Sequence, residues 1–475
     1  MEKLVLIFIL IWVNVLILFY KKKDKLIFFE ISLFFSIFVF ICSVYKLIIF
    51  NKSFLNIIQF FYYEEFNYFS FGSSCSGLDN LSILFFFLIC LIIPTCILYT
   101  KDYILDYNYN FYLICIFLIK YLLISCFLTF DIFFFFIYFE ATIIPMFLII
   151  VFWGSRSRKI KASFYLVLYA TISSFFFILA LIIIWSNVNS LNIIILRNFN
   201  WDFNLQIILW FFIFLTLAVK VPIFPFHIWL PEAHVEAPTV GSVILASLIL
   251  KLGSYGFIRI LIPLFSYSNK FLSPLINCLC FLGVMYGSLI AIRQIDFKKI
   301  IAYSSVVHMN YLIIGLFSFN FVSYVGSIYM MLAHGITSSA LFFLAGILYD
   351  RFKSRIIFYY TGLVYIMPIY SFFLFYFFFS NFGFPGSVNF IGELMILFGI
   401  INYSFFFFLI LLLSFFFSIL YSIWLPNRIL FGTLKFNYGF SFDLDEREFY
   451  ILVLYFILSL YLGIFPNEFL NFINL

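Results

Sequence analysis

Glu140, Lys220, Lys251 and Glu393 are charged residues inside long apolar runs, in a chain where only 10% of residues are charged. A Lys or Asp at the centre of a bilayer-spanning helix costs roughly 2.5–3.5 kcal/mol to insert. Four such charges, ionised and unpaired, would oppose insertion by about 10–14 kcal/mol. Pairing, hydration or neutralisation must offset that cost, and each demands a polar interior. His308 and His334 each lie about halfway along an apolar run. Histidine titrates near physiological pH, so a buried series of Lys, His and Glu can pass protons without large barriers. A lysine taken out of water titrates nearer neutrality, and a carboxylate beside it reverses that shift. Glu140 and Lys220 are the right chemical types for such a switchable pair. These residues read as a proton path through a bilayer.

The densest stretch runs Lys220-Val-Pro-Ile-Phe-Pro-Phe-His227-Ile-Trp-Leu-Pro-Glu232-Ala-His234-Val-Glu236-Ala-Pro-Thr and leads into the helix that carries Lys251. Plainer roles compete at several positions. Lys220 lies near the end of its run and could extend its ammonium to the interface. Lys251 is about a dozen residues inside its helix, too deep for that. His227 and His234 read as organisers of the Trp229-Leu-Pro231-Glu232 turn. Lys120 has no evident partner, and a local salt bridge explains it as well as transport does. The eight cysteines, at 42, 75, 90, 96, 115, 126, 278 and 280, lack the clustered spacing of a zinc or iron–sulfur site and read as buried packing residues.

The elements that must position these groups are membrane helices. The 475 residues are 66% hydrophobic and 25% aromatic, with a mean hydropathy of +1.16, far above the ~45–50% apolar content of soluble domains. Runs of roughly 20 apolar residues span a bilayer, and about fourteen are expected, near 4–20, 26–45, 81–99, 110–130, 132–153, 162–186, 206–221, 239–262, 271–292, 300–318, 321–349, 362–401, 404–425 and 449–465. The reading is an all-α polytopic membrane protein. Helices 7 and 12 are expected to be broken, the seventh at its end by Pro222 and Pro225, the twelfth by Asn381-Phe-Gly-Phe-Pro385-Gly386. The loops 51–80, 187–205 and 431–448 are polar, and no chemistry is assigned to them.

The net charge of +6 is not a nucleic-acid signal, because the basic residues sit in short loops. Loops after odd-numbered runs hold most of them, from the Lys21–Lys25 cluster to Arg447, which places both termini on the outer side. The 78 Phe and 33 Tyr come from A/T-rich codons, as in a mitochondrial genome, and no cleavable presequence precedes the first run. Neither a Gly-x-Gly-x-x-Gly nor a Gly-x-x-x-x-Gly-Lys-Ser/Thr motif occurs, so nucleotide chemistry is expected elsewhere.

The Lys220–Thr239 stretch, together with Leu-Lys251-Leu-Gly-Ser-Tyr-Gly-Phe-Ile-Arg, resembles the signature of the antiporter-like membrane subunits of respiratory complex I. Asp296-Phe-Lys-Lys-Ile-Ile-Ala-Tyr-Ser-Ser-Val-Val-His308-Met, Met-Leu-Ala-His334-Gly, Leu-Tyr-Asp350-Arg351 and Asn-Phe-Ile-Gly392-Glu393-Leu extend the likeness. It covers about Gly77 to Leu425. Some members carry Lys in the broken twelfth helix, whereas this chain has Glu393. The resemblance implies two inverted five-helix repeats, 110–262 (helices 4–8) and 271–425 (helices 9–13). They would be preceded by helices 1–3 with an outer loop (1–109) and followed by a matrix loop and C-terminal helix (426–475). It assigns Glu140 and Lys220 to a coupling pair and Lys251 to a central station. His308 and His334 would continue the axis, and Glu393 would be the terminal acid. The function implied is proton translocation in the inner mitochondrial membrane, coupled to NADH:ubiquinone electron transfer. FMN, iron–sulfur clusters and ubiquinone are expected on other subunits, with no cofactor on this chain. The partners implied are other complex I membrane subunits and lipids. A cation/proton antiporter subunit and a purely structural subunit are the alternatives.

Overall fold

A computed structural model describes residues 25–49, 59–65, 73–103, 108–433 and 442–473. The expected first helix at 4–20, most of the Lys21–Lys25 cluster and parts of the loops 51–80 and 431–448 lie outside them.

Twelve helices among the described residues are long and apolar enough to cross a membrane. In chain order they and their neighbours are α1 (Lys25–Ile49), α2 (Asn80–Tyr99), α3 (Tyr109–Leu128), α4 (Ile132–Trp153), α5 (Lys159–Val188), α6 (Phe203–Lys220), the short α7 (Trp229–Glu236), α8 (Thr239–Leu264), α9 (Ser266–Arg293), α10 (Phe297–Leu316), α11 (Phe321–Phe352), α12 (Pro368–Asn381), α13 (Val388–Tyr403), α14 (Phe405–Leu430) and α15 (Glu446–Ile464). A helix satisfies its own backbone groups, which lipid cannot do. Hydroxyls inside the spans are satisfied locally in the same way: Ser32, Ser36, Thr95 and Ser163 each donate to the carbonyl three residues back. Helix starts follow the capping residues. Asp79 accepts from Ser82 N, Asp131 from Phe133 N and Asn320 from Val322 N.

The expected long twelfth run is two helices, α12 and α13, separated at Phe382–Ser387. A further break falls in α4 at Thr142, two residues after Glu140. Pro145 lacks the N–H that would bond the Ala141 carbonyl, which accounts for it. α8 carries π-helical turns at Leu245–Ile249 and Phe257–Leu261. Among the described residues, two strands pair antiparallel, Gln59–Glu65 with Ser73–Leu78, and Tyr62 lies opposite Ser76. The Phe-Phe-Tyr-Tyr run of the first strand has the aromatic bias of β-structure.

The chain forms two compact units. The first comprises the described residues up to Lys220 plus Leu248–Phe271. In it α2 lies against α1 and α3, and α5 against α6. The second comprises Val221–Ser247 and the described residues from Leu272 onward. Its centre is α11, whose apolar window is 100% buried, with α10, α12, α13 and α15 around it. A helix apolar on all sides belongs in such a position. Gly392 allows the α11–α13 contact, because a Cβ there would lie 3.1 Å from Met330 Cα.

Candidate functional site

In the first unit, Lys220 is the last residue of α6 and is only 3% exposed, so its ammonium turns inward and not to the interface. It donates to the Phe139 carbonyl at 3.1 Å and lies 4.2 Å from the centroid of the Phe139 ring. Carbonyl and ring face together hold a desolvated cation. Glu140 is the next residue, yet no ion pair within 4 Å joins it to Lys220, although the two charges act on each other through space. Its Oε1 is buried without a hydrogen-bond partner. The carboxylate lines a groove between α4 and α5, open at one side, with Ile144, Phe147, Thr171 and Ser174. Lys251 is fully buried and follows the first π-helical turn of α8. The Lys251 carbonyl accepts from Ser254 Oγ at 3.1 Å.

The second unit brings its three residues into one cluster. His308 Nδ1 lies 3.5 Å from Glu393 Oε1, and its Nε2 lies 3.2 Å from Asn381 Oδ1. The His334 ring is 5.4 Å from the His308 ring, centroid to centroid. All three titratable groups are at most 4% exposed. A carboxamide oxygen only accepts, so this contact is a hydrogen bond in the tautomer that carries its proton on Nε2. A single proton placed between Nδ1 and Oε1 gives imidazole with carboxylic acid, or imidazolium with carboxylate. Both forms fit the same heavy-atom positions. Gly383 lies at φ +73°, where a side chain is strained, and a Cβ there would collide with Glu393 Oε2. Tyr311 donates to the Glu393 carbonyl at 3.4 Å. A cavity of about 10 Å³, on the scale of one water, is lined by His308, Tyr311, Glu393, Ser414 and Ser418.

Asn381 was read from the sequence only as part of a helix break. Its polarity inside an apolar run was the signal of its second role. The other sequence candidates have local surroundings. His234 is buried and stacks on Phe342 at 4.7 Å. His227 stacks on Phe224 at 5.7 Å, and its burial, outweighing the bond to the Pro225 carbonyl, holds the imidazole below its ordinary 6.5. Lys120 is 1% exposed, 6.0 Å from the Phe117 ring centroid and within electrostatic range of Cys90. Cys278 is exposed, unlike the packing role expected of it.

Several charged contacts had no sequence signal. In the first unit, Arg259 pairs with Asp79, the cap of α2, and stacks 4.2 Å from the Phe130 ring centroid. In the second, Glu236 faces Arg355 at 3.8 Å, Lys298 donates to the Ala237 carbonyl at 3.1 Å, and Lys299 meets Glu232 at 3.2 Å. Among the described residues, no group of three or more His, Cys, Asp or Glu could hold a metal ion.

The family described as NADH:quinone oxidoreductase/Mrp antiporter, TM, matches residues 129–418. The NADH-ubiquinone oxidoreductase chain 4 of Chondrus crispus is 47% identical over 84% of this chain and 81% of its own length. That of Acanthamoeba castellanii is 44% identical over 93% and 90%. Among solved structures, a chain of respiratory complex I from Thermus thermophilus superposes with a TM-score of 0.88 at 24% identity, covering 98% of this chain and 97% of that one. At that identity the likeness is one of fold.

Proposed function

The chain belongs to the NADH-ubiquinone oxidoreductase chain 4 family, and from that premise we propose that it moves protons through Glu140, Lys220, Lys251, His308, His334 and Glu393. It is an antiporter-like, proton-pumping membrane subunit of complex I. Electron transfer in other subunits drives it, with FMN, iron–sulfur clusters and ubiquinone held there. The chain works in the inner mitochondrial membrane beside other membrane subunits, with both termini facing the intermembrane space and its gene in the mitochondrial genome. Helices 4–8 and 9–13 act as its two inverted repeats.

The observation that carries the residue roles is the His308–Glu393 contact beside a water-sized cavity, with His334 adjoining. In the first unit the switch is electrostatic. Displacing Glu140 relative to Lys220 changes how strongly the ammonium holds its proton. At an effective dielectric of about 20, moving a charge pair from about 4 to about 6 Å alters its energy by ~1.4 kcal/mol, about a tenfold change in proton affinity. The break at Thr142 gives Glu140 room for such a motion. Loss of the proton from Lys220 shifts Lys251, and the proton passes by way of His334 and His308 to Glu393. His308 receives it on Nδ1 and Glu393 takes it on Oε1, while Asn381 holds the ring.

The test is proton pumping per NADH oxidised in sealed vesicles of assembled complex carrying His308→Ala or Lys251→Ala. Lowered pumping with NADH binding intact is expected, and unchanged stoichiometry in both would sink the residue assignment. Sodium-dependent proton exchange without NADH or quinone would favour an antiporter instead.

A further inference from the structure

We propose that Arg351, Asp443 and Glu448 are positioning residues: they form a clamp that sets the axial position of α12 and so the Asn381–His308 contact. This rests on the proton-transfer reading above. α12 has 14 residues, about 21 Å of helix at ~1.5 Å per residue, with non-helical backbone at both ends. Apolar flanks resist sliding weakly, because apolar contact is non-directional. Polar contacts at the ends and along one side must fix the register.

At its start, the N–H groups of Ile369 and Tyr370, which have no partner within the helix, donate to the Asp443 carboxylate at 2.8 and 3.1 Å. Asp443 lies 74 residues after Ile369, so this cap comes from a different segment. Arg351 holds that segment. Its Nη2 donates to the Asp443 carbonyl at 2.8 Å and its Nε to the Phe442 carbonyl at 3.0 Å. The guanidinium also grips Glu448 through both oxygens, at 3.0 and 2.6 Å. Glu448 in turn accepts from Asp445 N at 3.0 Å, within the capping box of α15.

Arg351 stands in the last turn of α11, the helix that carries His334. One side chain therefore ties the end of the His334 helix to the cap of the Asn381 helix. Tyr370 adds a second tie, donating to the Leu344 carbonyl at 3.1 Å, and Tyr376 meets Ser459 at 2.8 Å. At the far end Asn381 reaches His308 at 3.2 Å. An axial slip of about 1 Å directed away from His308 lengthens that 3.2 Å contact to about 4 Å, out of hydrogen-bond range. Only a planar guanidinium makes this bidentate grip, since a lysine offers a point charge.

The experiment uses assembled complex in sealed vesicles and reads protons pumped per NADH oxidised across a pH series. Arg351→Ala is expected to lower pumping roughly threefold, within the range of mutations along a coupled network. Arg351→Lys should keep an intermediate value. The deciding measurement is a cycle with Asn381→Ala: if the clamp acts through Asn381, the double variant pumps as Asn381→Ala does alone. Losses that multiply in the double variant overturn the inference, and so does an Arg351→Ala profile matching that of Arg428→Ala, the control at a separate arginine stacked on Phe358. Should Arg351→Ala fail to assemble, Glu448→Gln, which keeps the side chain's size, enters the same cycle under the same criteria. If His308→Ala leaves pumping unchanged, the clamp fails with the His308 role, and if Lys251→Ala leaves it unchanged as well, the proton-transfer reading itself fails. If His308→Ala lowers pumping and the clamp variants do not, only the clamp is wrong.

Discussion

The first unit rests its cation on a carbonyl and a ring, with the carboxylate near but not touching. The second unit sets its acid against an imidazole at 3.5 Å. A charge acting through space loses strength gradually as distance grows. A proton hop needs heavy atoms within hydrogen-bond reach or bridged by one water. The same change of length therefore matters less in the first unit than in the second. On the proposed reading, the first unit senses a displaced charge and the second hands a proton on.

The largest effect is expected from Lys251→Ala, which deletes a proposed station outright. Pumping should fall tenfold or more, on the scale of a lost proton-transfer group, while NADH binding stays intact, as read by NADH oxidation with an artificial acceptor. Next comes Glu393→Asp, shorter by one methylene, which opens the 3.5 Å contact to His308. A loss of about tenfold in pumping is expected, and Glu393→Gln, which cannot carry the proton, should lose at least as much. Glu140→Asp makes the same shortening where only Coulomb attraction acts, and its loss should be about fivefold, below that of Glu393→Asp. Equal losses in the two Asp variants would erase the distinction between the units.

Two further variants address support and not transfer. Arg259→Ala strips the cation from the partly buried Asp79 and should lower the thermal stability of the assembled complex by about 2 kcal/mol, less than a fully buried pair would lose. Burial raises the Asp79 carboxyl, but the Arg259 charge and the Ser82 hydrogen bonds outweigh it and hold the group below its ordinary 3.8. A depressed carboxylate stabilises the fold above its unfolded value and loses that contribution as pH falls through the folded one. The wild-type Asp79 contribution should therefore be flat from pH 5 to pH 8, measured by melting across that range. Smallest of all is Lys120→Met, an apolar replacement of similar length for a buried cation. Pumping should be unchanged within error, and a clear loss would enlarge the first unit's site.

Much of this was legible in the sequence. Apolar runs gave helix limits within a few residues, since 110–130 is Tyr109–Leu128 and 239–262 is Thr239–Leu264. The Asn381–Gly386 motif marked the divided twelfth run. The break at Thr142 was missed although Pro145 was in view, because proline in a long apolar run is also tolerated, as Pro94 is in α2. The aromatic strand Gln59–Glu65 was missed because its composition also suits a loop at a membrane surface.

Sequence alone determined that the chain lives in a bilayer, which residues are titratable at depth and where helices must stop. Those follow from local solvation and backbone geometry. Only the tertiary structure decided that Lys220 meets Phe139 across 81 positions, that His308 meets Asn381 across 73, and that Arg259 meets Asp79 across 180. Such contacts depend on helix rotation and axial register, which are set by packing around each helix, and no single stretch of sequence encodes them.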